Sequence, residues 1–230
     1  MRSAAVRRSS EIGDGRFVIG DGASCPSCSQ ITIHKSQLIL ASASPRRADL
    51  LRAAGFDFEV RSAGADETVH PGELPEQYVR RVAEAKAHAV LPAAGDRPVI
   101  AADTVVLIDG RILGKPVDAE QAAAMLRTLS GRRHQVMTGV TVAVRSLSRD
   151  GQARVHQRTS VEITEVDFAP LTDEEIAWYV ASGEPADKAG AYAVQGLASR
   201  FVRRVEGSYS NVVGLPVAVV YEMLGELGYA

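Results

Sequence analysis

The chain has 230 residues, 46% of them apolar and 23% charged, with a net charge of −2. That suffices for one sizeable α/β domain with a packed core, and it excludes a protein that holds long nucleic acid by charge alone. There is no apolar run of transmembrane length, no apolar stretch behind the basic start (Arg2, Arg7, Arg8) to make a secretory signal, and two cysteines are too few for a disulfide scaffold.

Residues 1–36 are rich in Ser, Gly and Arg and lack a sustained period, so they read as a flexible extension, with one folded domain over 37–230. Gln37–Ala41 predicts a short buried strand. Ser44 follows at a helix N-cap with Pro45 at the first helical position, and Gly55 ends that helix. Phe58–Ser62 is the next strand, and Gly64–Leu74 is a loop carrying Asp66 and Glu67. Tyr78, Val82, Ala85 and Ala89 give Pro75–Leu91 a helical stripe. Pro98–Ala102 is a buried strand that runs into Asp103 and Thr104 and continues through Ile108 to a turn at Asp109-Gly110. Asp118 caps a helix through Leu129. Gln135–Val144 and Arg154–Phe168 alternate as long paired strands with Gly151 in the turn between them. Thr172–Glu175 is a capping box for a helix through Val180, stopped by Gly183. Residues 185–209 are irregular, with short strands expected at Ala191–Val194 and Phe201–Val205, and Leu215–Leu227 closes the chain as a helix. Helices mixed with strands in both halves indicate an α/β fold on a mixed sheet whose strand ends open onto a site.

Four clusters carry functional groups. The first, Ser42-Ala43-Ser44-Pro45-Arg46-Arg47, lies between a strand and a helix start. Free N–H groups there favour anions, and two hydroxyls and two guanidinium groups add donors for phosphate oxygens. The same residues also read as a capped helix start with two solvated arginines. The second cluster pairs Glu67 with Asp103. A carboxylate just after an apolar strand suits a metal ligand or a base, and equally suits capping of the next turn. The third is Lys86 on a helix and Lys115 in Gly114-Lys115-Pro116, two of the few lysines in an arginine-rich chain. Gly110–Lys115 is not a phosphate-binding P-loop, because its glycine spacing is short by a residue and Pro116 replaces the metal-binding hydroxyl. The fourth, Asp187–Gly196, joins a charged pair, small residues and Gln195, an amide able to read a base edge or to sit in a satisfied turn. Cys25-Pro26-Ser27-Cys28, with no second pair, is weak support for zinc, and the histidines show no metal spacing.

These clusters occur in one order: Leu40–Arg47, Asp66-Glu67, Ala102–Val106, Gly114–Pro116, Ser130–Thr138 and Asp187–Gly196, with Gly207–Pro216 after them. In that order, over about residues 37–229, the chain closely resembles the Maf-like nucleoside triphosphate pyrophosphatases. The resemblance implies an α/β fold with a mixed, elongated, twisted sheet, flanking helices and two lobes around a deep cleft, in a cytoplasmic homodimer. It implies cleavage between the α- and β-phosphates with Mg²⁺ or Mn²⁺, a house-cleaning reaction on the nucleotide pool. By motif position Ser44, Arg46, Arg47, Lys86 and Lys115 hold the triphosphate. Glu67 and Asp103 hold metal or activate water, with Lys115 among the catalytic groups, and Thr104 and Gln195 contact the substrate, Gln195 at the base. The Asp-Lys-Ala-Gly-Ala-Tyr form of Asp187–Tyr192 resembles the branch acting on dTTP, UTP and modified pyrimidine nucleotides rather than the branch preferring methylated GTP. Residues 1–36 have no counterpart in the family, so the working chain is expected to begin near Lys35.

Asp103 is expected to orient the attacking water more than to deprotonate it, because a carboxylate near a metal stays ionised and is a weak base. Two other classes compete with the enzyme. A nucleotide-binding regulator of septum formation, without catalysis, fits the family's name, but the intact Glu67 and Asp103 pair argues for retained chemistry. A nucleic-acid-binding module requires a basic stripe with interleaved aromatics, and only 5% of the chain is aromatic.

Overall fold

The structure is a computed structural model and describes residues 38–62, 64–147 and 152–229. The expected extension, its Cys25/Cys28 pair and the Gly151 turn lie outside the described residues. Among the described residues seven strands form one sheet: β1 (Leu38–Leu40), β2 (Phe58–Val60), β3 (Val99–Ile108), β4 (Arg111–Leu113), β5 (Arg133–Leu147), β6 (Ala153–Phe168) and β7 (Val202–Glu206). The order is β2-β1-β3-β5-β6-β7, with β4 also on β3. β1 is parallel to β2 and β3, and every other pairing is antiparallel, so the sheet is mixed. Helices α1 (Pro45–Ala53), α2 (Pro75–Val90), α3 (Ala119–Leu129), α4 (Asp173–Ala181), α5 (Tyr209–Val213) and α6 (Val217–Glu226) flank it. No helix among the described residues is long and apolar enough to cross a membrane.

β3 explains where a site can form. It is buried along nearly its whole length because both faces are covered. On one face Val99 and Ala101 pack with Ile39, Ala87 and Leu91, and Val105 and Leu107 pack with Tyr78, Val79 and Val82. On the other face Ile100 and Ala102 pack with Leu51, Val220 and Leu224, while Val106 and Ile108 join Leu126, Phe168 and Tyr179. Each face thus carries two apolar clusters with a break between them, and the breaks are filled by Asp103 and Thr104. The edge of β3 is interrupted at the same level. β5 runs along one edge from Val99 to Leu107. The other edge pairs with β1 at Val99–Ile100 and with β4 at Val106–Ile108, leaving residues 101–105 without a strand partner there among the described residues.

α2 lies close over the sheet because residue 139 of β5, opposite Asp103, is glycine. A Cβ at Gly139 would stand 2.3 Å from the Val79 carbonyl oxygen. Two local expectations are corrected. Ala191–Val194 is not a strand, because the chain there turns through 3-10 segments at Glu184–Asp187 and Ala189–Ala191, with Gly190 (φ +67) and Ala191 (φ +60) left-handed and Gly190 pressed on Val106. The last helix starts at Val217 rather than Leu215, after Pro216, and is preceded by the short α5, which the Ser208 hydroxyl caps.

Candidate active site

A cleft of about 660 Å³ opens at the interrupted edge of β3, and all nine residues singled out in the sequence line it: Ser44, Arg46, Arg47, Glu67, Lys86, Asp103, Thr104, Lys115 and Gln195. The open edge is why neighbours on opposite faces of one strand, Asp103 and Thr104, both reach it. Ser44 occupies the N-cap of α1, but its hydroxyl caps nothing and is left to the cleft. Its N–H donates to Ser42 Oγ at 3.2 Å.

The cations differ in how far they are committed. Arg47 is buried and spent on the protein. It donates to the Gly214 carbonyl (2.7 Å), the Ala102 carbonyl (2.8 Å), Ser42 Oγ (3.2 Å) and Thr104 Oγ1 (3.1 Å), tying α1 to the unpaired edge of β3. Burial pushes its guanidinium below its ordinary value, against the favourable charge of Asp103. Thr104 is also committed, to Thr138 Oγ1 at 2.9 Å and the Gly214 carbonyl at 3.3 Å. Arg46 reaches across the cleft mouth to Asp187, at 2.9 Å to the carboxylate and 3.3 Å to its carbonyl. Lys115 makes no hydrogen bond or ion pair among the described residues and stands in the cleft as a free ammonium.

Lys86 is the hinge of the acidic pair. Its ammonium lies 2.7 Å from Glu67 Oε1 and 2.7 Å from Asp103 Oδ1, so the two carboxylates are within twice that distance of one another. Lys86 and Asp103 are each 9% exposed at the side chain, whereas Glu67 is 48% exposed. Burial pushes Glu67 up, but the Lys86 hydrogen bond and the charges of Lys86, Lys115 and Arg47 outweigh it and hold the carboxyl below its usual range. Two carboxylates converging on one cation suit a hard divalent ion, which takes one or two carboxylates and completes its shell with substrate oxygens and water. Among the described residues no group of three or more His, Cys, Asp or Glu side chains converges, so the site lacks the closed ligand set of structural zinc.

Glu67 sits in an irregular loop, and α2 holds that loop by its main chain. Arg81 donates to the Asp66 carbonyl (3.3 Å) and the Thr68 carbonyl (2.9 Å), and Tyr78 donates to the Glu67 carbonyl between them (2.9 Å). Arg81 also grips Glu73 at 2.6 and 2.8 Å, which holds that carboxyl down to about 2. Sequence reasoning missed Arg81, Tyr78 and the Arg46–Asp187 pair. Tyr78 was visible only as one member of an apolar stripe, and nothing local marks an arginine that acts on a loop 13–15 residues before it in the chain.

A mixed α/β sheet with an edge cleft where cations face paired carboxylates has the makings of an enzyme that acts on phosphate compounds. The model of the family described as Maf-like protein matches residues 37–227, and the chain belongs to that family. It is 53% identical over 193 residues to a dTTP/UTP pyrophosphatase of Anaeromyxobacter sp. (strain Fw109-5), covering 84% of this chain and 90% of that relative. It is 51% identical over 190 residues to a dTTP/UTP pyrophosphatase of Escherichia coli O157:H7, covering 82% and 92%. Among solved structures, the Staphylococcus aureus Ham1 protein matches over 83% of this chain and 99% of its own at 16% identity and a TM-score of 0.42.

Proposed function

We propose that the chain hydrolyses dTTP and UTP, together with modified pyrimidine nucleotides, to the nucleoside monophosphate and pyrophosphate, removing unwanted nucleotides from the pool. The observation that carries this reading is the sharing of Lys86 between Glu67 and Asp103 at 2.7 Å each, in a cleft where Lys115 is uncommitted. The activity named for relatives at 51–53% identity supports it.

In this reading water adds its oxygen to the α-phosphorus and gives up a proton to solvent, the bond from that phosphorus to the α,β-bridging oxygen breaks, and pyrophosphate leaves with the electron pair. A triphosphate carries about four negative charges, which the cationic side of the cleft must meet. Lys115 takes up phosphate oxygens directly, and Arg46 exchanges Asp187 for them. The Ser44 hydroxyl and the free N–H groups at the start of α1 supply further donors. Arg47 and Thr104, bound to the protein, brace the cradle from behind. Asp103, rigidly held by Lys86, accepts a hydrogen bond from the attacking water and aligns it with the phosphorus. Glu67 and Asp103 would hold Mg²⁺ or Mn²⁺, which would supply charge neutralisation at the phosphate oxygens. Gln195 reads the base edge. On the same reading residues 37–230 are the catalytic domain, and the protein works as a homodimer in the cytoplasm, where free nucleotides are found. Analytical ultracentrifugation tests the dimer.

The test is pyrophosphate release from dTTP, UTP, CTP, methylated GTP and purine triphosphates with Mg²⁺ or Mn²⁺, beside Asp103→Asn. Strong dTTP or UTP turnover is expected, lowered by roughly 100-fold or more in the variant with nucleotide binding retained. Tight binding without turnover on any nucleotide refutes the hydrolase and leaves a binding regulator.

A further inference from the structure

Gln195 lines the cleft, and its side-chain amide makes no hydrogen bond among the described residues. What fixes so unengaged a residue lies behind the cleft wall. Glu184 reaches over the start of the 3-10 turn Leu197–Phe201, where its carboxylate accepts from the Leu197 N–H at 3.0 Å and the Ala198 N–H at 3.4 Å. The same carboxylate accepts the Tyr179 hydroxyl at 2.7 Å, and that hydroxyl accepts the Ala193 N–H at 3.2 Å. Tyr179 is fully buried on α4, edge-on to Phe201 at 5.6 Å between centroids. Gln195 therefore sits midway between two anchored peptides, Ala193 and Leu197.

Gly196 makes the arrangement sterically specific. A Cβ there would stand 2.3 Å from Glu184 Oε2. The glycine is needed there for the close approach of the carboxylate. Neither Glu184 nor Tyr179 lines the cleft, so neither touches the phosphates or the carboxylate pair.

We infer that Glu184 and Tyr179 are positioning residues for base selection: by clamping the peptides on either side of Gln195 they set which nucleobase the cleft accepts, while leaving phosphate chemistry to the other wall. This rests on the reading that Gln195 faces the base of a nucleoside triphosphate. A charge-assisted clamp acts by holding the amide where only one pattern of base donors and acceptors is satisfied. An amide free to shift satisfies several patterns comparably.

The experiment measures kcat and KM of the full chain for dTTP, UTP, CTP and dATP in the wild type, Glu184→Gln, Glu184→Ala, Tyr179→Phe and Gly196→Ala, with melting temperatures alongside. In the folded variants kcat on dTTP is expected within about twofold of wild type. The kcat/KM preference for dTTP and UTP over CTP and dATP is expected to shrink about fivefold or more, chiefly through KM. Glu184→Gln, which keeps one acceptor oxygen, should lie between the wild type and Glu184→Ala. Unchanged preference in folded variants, or an equal loss of kcat on every nucleotide, overturns the inference alone. A wild type that hydrolyses none of the four overturns the reading of the site, and this inference with it.

Discussion

Gly139→Ala tests how α2 comes to present its side chains to the cleft. A Cβ at that position would lie 2.3 Å from the Val79 carbonyl oxygen, 2.5 Å from the Val79 carbonyl carbon and 2.9 Å from the Arg80 nitrogen. Non-bonded carbon contacts settle at about 3.5 Å or more, so roughly 1 Å must be found between the helix and the sheet. The obstructing atoms are helix backbone, so trimming a side chain at 79 or 80 cannot relieve them. Overpacking of this kind costs about 1–3 kcal/mol. For a domain of this size, with about 2–4 °C lost per kcal/mol, the melting temperature should fall by about 2–12 °C. The displaced helix also carries Tyr78, Arg81 and Lys86, and a misplacement of about 1 Å at a catalytic group costs roughly 100-fold in rate. Melting curves and pyrophosphate release from dTTP at saturating metal measure the two effects. Gly64→Ala, where an added Cβ meets nothing within 4 Å among the described residues, is the control. A Gly139→Ala protein as stable and as active as the wild type would refute the argument that close approach of α2 builds the site.

Other consequences are equally direct. Arg81→Gln releases two carbonyls of the Glu67 loop and the Glu73 grip. The Mg²⁺ concentration for half-maximal turnover should rise about tenfold with little change in kcat at saturating metal, and an unchanged metal requirement counts against the clamp. His134 is buried with its Nε2 2.8 Å from the Tyr192 hydroxyl, and burial depresses it to about 4. Its folded value lies below its unfolded one, so its stabilising share is complete above about pH 6.5 and is lost as pH falls toward 4, about 3 kcal/mol in all. Urea midpoints of the wild type should therefore fall more steeply over that window than those of His134→Asn, and parallel profiles would exclude His134 as the source.

The parts legible in the sequence were those written in local chemistry. Pro45 after Ser44, the Thr172–Glu175 capping box and the alternation of β5 and β6 are decided within a few residues, and the structure follows them. The nine cleft residues were legible because their motifs recur in a fixed order in a known family, and the structure brings all nine together. Illegible were pairings set by distant chain. Arg47 has the composition of a phosphate ligand, yet its guanidinium is consumed by Gly214 and Ala102, 167 and 55 residues away. Ala191 looked like a strand residue because its neighbours are small and apolar, but Gly190 and Ala191 turn left-handed where Gly190 lies close against Val106, which no periodicity records.

The five residues of β3 left bare between β1 and β4 carry a consequence for how such a protein can change. In an ordinary strand consecutive side chains serve opposite sides of a sheet and never meet the same molecule. Here the bare stretch acts as a window, so a ligand in the cleft meets Asp103 from one side and Thr104 from the other. The spacing between the two strand anchors is therefore fixed to the residue. An insertion or deletion inside the window would exchange the two sides, turning the carboxylate toward Arg47 and the hydroxyl toward Lys86. This segment cannot vary in length, because its pleat alone keeps the acid on the side of its lysine.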